Sequence, residues 1–143
     1  MSERLDTGRR IPDSQPFSRL LGARLTAFEA GRAVLELDIT DELKQQYGFV
    51  HGGVLSYLAD NCLTNAAASV LGDLVTSEYK INYLRPAIGR TLVATESVQH
   101  AGSNQAVCNC EVAIDDGEFQ KIVAIAQGTI SRISPGNRPA TAA

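Results

Sequence analysis

One stretch of this sequence, residues 47–71, constrains the fold more than any other. It begins as a loop, passes through a His-Gly-Gly triplet at residues 51–53, and continues as the only strong helical candidate of the chain. At about 100° per residue, one side of that helix collects apolar residues, namely Val54, Leu58, Cys62, Ala66 and Val70. Asp60 falls just outside this side, with Thr64 one turn further on the same face. The stretch therefore predicts a long helix with a carboxylate at the margin of its buried surface.

The composition narrows the class of protein. With 143 residues, of which 44% are hydrophobic and 20% charged, the chain fits one globular domain with its own core. A formal net charge of −3 argues against nucleic acid as the main partner. No apolar run has the length of a membrane span, and the first residues lack the apolar segment of a secretion signal. The odd number of cysteines, three, and the lack of a secretion signal in the first residues together indicate a cytoplasmic protein.

The rest of the chain is divided by glycine and proline into short strands. The predicted strands cover residues 23–29, 32–40, 76–84, 91–100, 105–114 and 119–133, and a single helical turn follows Pro16. Residues 1–15 are expected to form a flexible arm and residues 134–143 a disordered tail, which leaves one domain at residues 16–133. Short connections imply antiparallel pairing, and a lone apolar helix must lie against the concave face of a sheet. We therefore predict an α+β fold, a curved antiparallel sheet of about six strands around one long central helix.

Three motifs occur in order along this pattern. They are a Gly-x-x-His-Gly-Gly loop from Gly48 to Gly53, an acid seven residues later at Asp60, and a strand that ends in Tyr-Leu-Arg-Pro-Ala at residues 83–87. Over residues 17–133 the chain resembles the hotdog-fold acyl-CoA thioesterases of the phenylacetate-degradation (PaaI) type. The resemblance implies a hotdog fold and hydrolysis of acyl-CoA or aryl-CoA, with no cofactor because coenzyme A belongs to the substrate. It also implies a homodimer joined sheet edge to sheet edge, often doubled to a homotetramer, with active sites at the dimer interface.

Thioester hydrolysis requires an activated water or a nucleophile, and a group that stabilises the oxyanion. Asp60 is the candidate for the first role, as general base or as a nucleophile that forms an anhydride; the alternative is a solvated helical carboxylate. The backbone N–H of Gly52 is the candidate oxyanion donor, because the first N–H groups of a helix lack partners within the helix. Gly53 has no side chain and would let the thioester approach closely. Alternatively, both glycines only turn the chain into the helix.

Four further residues are candidates for the catalytic site by the same resemblance. Gln45 stands where the family usually carries Asn, and its amide would hold the water or the substrate carbonyl. Gln46 would take this role if the loop register shifts. Alternatively, Gln45 is only an exposed amide of the loop. His51 would order the loop and lend a hydrogen bond near the thioester, with a purely structural role as the alternative. Thr64 and Thr76 compete for the hydroxyl that orients the nucleophilic water.

The groups that would hold coenzyme A are less distinctive. Arg85 and Pro86 form a turn that would meet the pantetheine arm or the phosphates, or is a solvated strand end. Relatives often carry basic residues after the glycine of the next turn, where this chain has Ser103 and Asn104. In this chain, hydroxyl and backbone N–H groups of the turn would contact the phosphates in place of those basic residues. Cations elsewhere could also replace them, and the candidates are Lys80, Arg85 and Arg90.

Tyr47, Phe49 and Tyr57 would line an acyl or aryl pocket, with core or interface packing as the alternative. Two histidines and the lack of a CxxC pair do not supply a typical zinc set, so no metal site is predicted. Two other functions stay open. A hotdog hydratase or dehydratase would use a His and acid pair in a different local pattern, and no second histidine is placed to serve it. A non-catalytic acyl-CoA-binding protein would have no need of Asp60.

Overall fold

The computed structural model describes Leu5, Arg9 and residues 12–133. Its helices are α1 (Pro16–Leu21) and α2 (Gly52–Leu71), with a 3₁₀ turn at Asp41–Leu43. Its strands are β1 (Arg24–Glu29), β2 (Arg32–Asp38), β3 (Leu74–Tyr83), β4 (Thr91–Ala101), β5 (Gln105–Asp115) and β6 (Gln120–Arg132). Most of the predicted arm and all of the predicted tail lie outside the described residues, whereas residues 12–14 are helical.

The strands form one antiparallel sheet. In the described chain six strands pair in the order β1-β2-β4-β5-β6-β3, and every neighbouring pair is antiparallel. This confirms the predicted α+β fold with a sheet around one long helix. The order places β1 and β3 at the two edges of the sheet. An edge strand has one row of backbone groups without a neighbouring strand, so β3 is open to pairing with another chain.

Helix α2 lies across the inner face of the sheet and supplies much of the core. Its residues Leu58, Leu63 and Ala66 are completely buried, and the helix contacts all six strands. His51 begins the helix as its N-cap, and the chain leaves it at Gly72, whose φ of 91° favours glycine. In the described chain neither α2 nor any other helix combines the length and the hydrophobicity that spanning a membrane requires.

A β-bulge at Ser77 shapes the edge strand beside the helix. Thr76 and Glu78 pair with the consecutive β6 residues Ile130 and Thr129, so Ser77 is the extra residue. One extra residue reverses the alternation of side chains, which lets Thr76 and Tyr79 both face the helix although they are three positions apart. Gly128 on β6 makes room for the bulge, because a Cβ there would lie 2.8 Å from the Cβ of Tyr79 and 2.9 Å from the carbonyl oxygen of Glu78.

Candidate active site

Two threonine hydroxyls contact Asp60, one at its carboxylate and one at its backbone carbonyl. Thr76 donates a hydrogen bond from Oγ1 to Oδ1 of the half-buried Asp60 at 2.6 Å. Thr64 donates to the backbone carbonyl of Asp60 at 2.9 Å, and the two threonine hydroxyls are 3.1 Å apart. A carboxylate can only accept, so Thr76 fixes one carboxylate oxygen. The other, Oδ2, has no hydrogen-bond partner within the described residues and is available to a water molecule or a substrate.

The N-terminus of α2 presents one unoccupied backbone N–H. His51 accepts the N–H of Gly53 at its Nδ1 atom, at 2.8 Å, and its carbonyl accepts the N–H of Val54 at 2.9 Å. The N–H of Gly52 is left without a hydrogen-bond partner in the described part of the chain. An unpaired N–H at the first position of a helix, where the dipole is positive, favours a developing negative charge. Gly52 is thus suited to bind an oxyanion.

Gly53 lies directly against the imidazole of His51. A Cβ at Gly53 would lie 2.9 Å from Nδ1 and 3.2 Å from Cε1 of His51, which is tighter than ordinary van der Waals contact. The missing side chain therefore makes room for the imidazole that caps the helix. Close approach of a thioester to Gly53 stays a prediction, and so does a hydrogen bond from His51 to the substrate.

Two neighbours of Gly52 were not singled out from the sequence. The Tyr83 hydroxyl lies 2.5 Å from Oγ of Ser56 and donates to the Gly52 carbonyl at 3.3 Å. The Tyr83 ring also covers Gly52, with ring carbon Cζ 3.5 Å from the position that a Cβ would occupy. Ser56 follows Gly52 by one helical turn, and this i, i+4 spacing was the available sequence signal. Tyr83 is distant in sequence, so only the fold shows this contact.

Gln45 stabilises the loop in front of the helix. Its side-chain oxygen accepts the N–H of Tyr47, its N–H donates to the Phe49 carbonyl at 2.9 Å, and its carbonyl accepts the N–H of Gly48 at 3.1 Å. Gly48 has a φ of 89°, a conformation that favours glycine and closes this turn. The Gln45 amide oxygen is thus used inside its own loop, and Gln46 is exposed. A role of either amide toward a water or a thioester stays a prediction.

The aromatic candidates lie in different environments. Tyr47 is 78% exposed, and Phe49 is partly buried. Tyr57 is buried beneath α1, where its hydroxyl lies 2.5 Å from Oγ of Ser18 and its ring meets Phe17 edge-on at 5.3 Å. Burial raises the pKa of the Tyr57 hydroxyl. Within one chain Tyr57 therefore packs in the core, whereas Tyr47 projects toward solvent and is free to meet a ligand or a second subunit.

The residues proposed for coenzyme A fall into separate places. Ser103 and Asn104 line a groove of about 690 Å³ together with His100 and Arg132, two basic residues that the sequence analysis did not connect with this turn. Lys80 lies in another groove, of about 470 Å³, on the outer face of the sheet. Arg85 and Pro86 are exposed in the chain that follows β3. Of these, the Ser103 groove combines hydroxyl, amide and basic groups suited to a phosphate.

The Asp60 carboxylate and the Gly52 N–H of one chain cannot both act on the same thioester group. Gly52 and Asp60 are eight residues apart on one helix. At 1.5 Å per residue this separates them by about 12 Å along the axis. A thioester carbon that touches the Gly52 N–H therefore lies out of reach of the Asp60 carboxylate of the same chain.

Comparisons with known proteins agree with this architecture. Residues 47–119 match the family model of the Thioesterase superfamily. The acyl-coenzyme A thioesterase PaaI of Escherichia coli strain K12 is 32% identical over 117 residues, 81% of this chain and 81% of that protein. A 1,4-dihydroxy-2-naphthoyl-CoA hydrolase of Listeria monocytogenes is 31% identical over 114 residues, 78% of this chain and 90% of that protein. The solved structure of the E. coli PaaI protein has a TM-score of 0.84 at 28% identity, and covers 93% of this chain and 96% of that one.

Proposed function

This chain belongs to the thioesterase superfamily and is a hotdog-fold thioester hydrolase, and from that premise we propose that it hydrolyses acyl-CoA or aryl-CoA esters with Asp60 and Gly52 at the reacting carbon. The observation that carries the proposal is the Asp60 carboxylate, held by Thr76 at 2.6 Å with its second oxygen available. Two relatives, by their names, act on acyl-coenzyme A and on 1,4-dihydroxy-2-naphthoyl-CoA. They support coenzyme A as the leaving group, with an acyl or an aryl acid as the other product.

A second copy of the chain supplies the missing half of each site. Edge strand β3 carries Thr76, the partner of Asp60, near its beginning and Tyr83, the neighbour of Gly52, at its end. When β3 pairs antiparallel with its own copy, the beginning of one strand lies beside the end of the other. Asp60 of one subunit then faces Gly52 of its partner, twice per dimer. Val75 and Tyr83 on β3 are 52% and 53% exposed in the single chain, which supports a covering subunit.

The reaction proceeds from these two groups. The Gly52 N–H donates to the thioester carbonyl oxygen as the carbon becomes tetrahedral, an interaction worth about 3 kcal/mol of the barrier in other oxyanion sites. Oδ2 of Asp60 takes the proton of the attacking water, or Asp60 attacks the carbon itself and water then cleaves the anhydride. Collapse of the intermediate breaks the C–S bond. The leaving thiolate needs little help from an acid, because a free thiol has a pKa of about 8.5.

The remaining candidates position the substrate in this proposal. Ser103 and Asn104, with Arg132 beside them, receive the phosphates of coenzyme A, and Arg85 meets the arm that leads to the thioester. Tyr47 and Phe49 lie in the loop that precedes the oxyanion donor, so they border the acyl or aryl group. Gln45 in the same loop orients the water or the carbonyl.

A thiol-release assay with short, medium, long and aryl CoA esters tests the proposal. We expect turnover of at least one ester, and a loss of about 100-fold or more in kcat for Asp60→Asn, which keeps the shape and removes the base. Asp116→Asn, in the exposed turn between β5 and β6, is the matched control and should keep full activity. Binding of CoA esters without turnover by the wild type would instead establish a non-catalytic acyl-CoA-binding protein. Transfer of ¹⁸O from labelled water into Asp60 during a single turnover would identify the anhydride route.

A further inference from the structure

Glu96 lies in the core, where its carboxyl group is surrounded mainly by cysteine thiols. Glu96 is on β4, in line with the buried residues Leu92 and Ala94, so its side chain points toward α2. Its exposed fraction is 0%, and the polar groups near its carboxyl oxygens are the thiols of Cys108 and Cys110 and the backbone of Ser97, none of them in good hydrogen-bond geometry. Burying such a group unpaired is strongly unfavourable, and native proteins normally pair it or place it on a metal ion. The position of Glu96 therefore calls for a ligand.

Three elements bring soft metal-binding atoms to this carboxyl group. Cys110 on β5 lies directly opposite Glu96 on β4 in the strand register. Cys62 lies in the middle of α2, which packs against this face of the sheet. One ligand atom from each of Cys62, Glu96 and Cys110 lies within 4.8 Å of the other two, and all three residues are buried. Cys108, two positions before Cys110 on the same face of β5, is also a buried free thiol that interacts with Glu96.

The distances and ligand types suit a tetrahedral zinc ion. Zinc binds thiolates at about 2.3 Å and carboxylate oxygens at about 2.0–2.2 Å, so its ligands lie roughly 3.5–3.8 Å apart. Small side-chain rotations would close the observed cluster to that spacing. Thiolates favour zinc over magnesium or calcium, which prefer oxygen ligands.

Protons occupy these groups when no ion is bound. Burial, reinforced by Cys110, raises the pKa of Glu96 to about 11, and burial next to Glu96 raises the pKa of Cys108 to about 12. Burial also raises the pKa of Cys62. Each thiol or carboxyl group that binds a zinc ion gives up its proton, and the ion then serves as the partner of the carboxylate.

We propose that Cys62, Glu96 and Cys110 bind one zinc ion inside the fold, with Cys108 as the fourth ligand. The ion joins α2 to β4 and β5 and therefore acts in stability rather than in the hydrolysis itself. The proposal does not depend on the function of Asp60. The motif search in the sequence could not find this site, because its ligands come from three separate elements and form no CxxC pair.

Metal content and cobalt spectroscopy of the full-length protein test the proposal. Protein expressed with zinc supplementation should contain close to one zinc ion per chain by mass spectrometry. After chelation, Co²⁺ should restore near-stoichiometric binding, with the near-ultraviolet charge-transfer band of cobalt–thiolate bonds. Zinc should raise the melting temperature of the chelated protein, because an ion that binds only the folded state stabilises it.

Variants decide whether this cluster is the site. Glu96→Gln and Cys110→Ser should each weaken zinc and cobalt binding at least tenfold, and Cys110→Ser should also weaken the cobalt–thiolate band. The matched control is Glu111→Gln, next to Cys110 on β5 but exposed, and it should bind like the wild type. Folded wild-type protein with no zinc and no cobalt–thiolate band would overturn the proposal. This test uses only the wild type, so it remains valid even if a core variant does not fold. Unchanged cobalt binding in a folded Glu96→Gln variant would overturn it as well.

Discussion

The hydroxyl of Thr76 donates to the carboxylate of Asp60 at 2.6 Å and so joins the edge strand β3 to the central helix. This contact depends on the bulge at Ser77, which keeps both Thr76 and Tyr79 directed toward the helix. A charge-assisted hydrogen bond of this length is short and directional. It leaves Asp60 with one fixed oxygen and one that is available for chemistry, beside the strand edge where we place the second subunit.

Replacement of Thr76 tests this contact. Thr76→Val keeps the shape and removes the hydrogen bond to the carboxylate, so we expect kcat to fall about 10- to 100-fold, since a hydrogen bond to a charged group is worth about 1.5–3 kcal/mol. Thr64→Val is the matched comparison. It removes a hydrogen bond to the Asp60 backbone carbonyl, so its kcat should change less. Thiol-release kinetics measure both, and an equal or larger loss in Thr64→Val would contradict the assignment.

Gly52 permits a test of the backbone donor itself. Gly52→Pro removes the N–H at the first position of α2, where proline is well tolerated, and His51 already has the extended ψ of 136° that a residue before proline needs. We expect a folded protein whose kcat is about 100-fold lower. Gly52→Ala keeps the N–H and places its Cβ 3.5 Å from Tyr83, an ordinary contact. Full activity in the folded proline variant, by the same assay, would exclude Gly52 as the oxyanion donor.

The helix cap provided by His51 is expected to matter for stability. His51→Ala leaves the Gly53 N–H without its acceptor and should lower the free energy of unfolding by about 1 kcal/mol. His51→Asn restores a good capping side chain and should recover most of this loss. Urea denaturation measures both variants. If His51→Asn also keeps full activity, the residue acts as a cap only; a stable but inactive His51→Asn would point to a contact with the substrate.

Gly128 should be needed for the bulge beside the site. Gly128→Ala places a Cβ 2.8 Å from the Cβ of Tyr79 and 2.9 Å from a backbone oxygen, and neither atom can move freely. We expect a loss of about 1–3 kcal/mol in the free energy of unfolding. Gly102→Ala meets only an ordinary 3.6 Å contact with the Gln105 carbonyl and should be nearly neutral. Denaturation curves that rank the two variants in the opposite order would contradict this account of the bulge.

Local patterns in the sequence predicted the fold well. Alternating strands, turn residues and one long apolar helix are short-range signals, and the β6 strand predicted at residues 119–133 is observed at Gln120–Arg132. The bulge at Ser77 was missed, because it depends on how β3 pairs with β6 and not on the letters of β3. Pairing with β6 also extends β3, which begins at Leu74, two residues before the predicted start.

The contacts around Asp60 were predicted in part. Asp60, Thr64 and Thr76 were named from the sequence, and the fold brings all three together. The contact of Tyr83 with Gly52 and the position of Arg132 beside Ser103 connect residues far apart in the chain, so spacing could not show them. Glu96 carries a sequence signal of its own. It interrupts the apolar face of β4 with an acid, which is unusual for a buried strand position.

Subunit mixing tests most directly whether each active site combines Gly52 of one chain with Asp60 of another. Asp60→Asn and Gly52→Pro, each inactive alone, are co-expressed with different tags and the mixed dimers are assayed for thiol release. Each mixed dimer contains one intact site and one site with both changes, so the purified mixed dimer should have roughly half of the wild-type activity. If the mixed dimers form but recover no activity, Gly52 and Asp60 do not act together across the subunit interface.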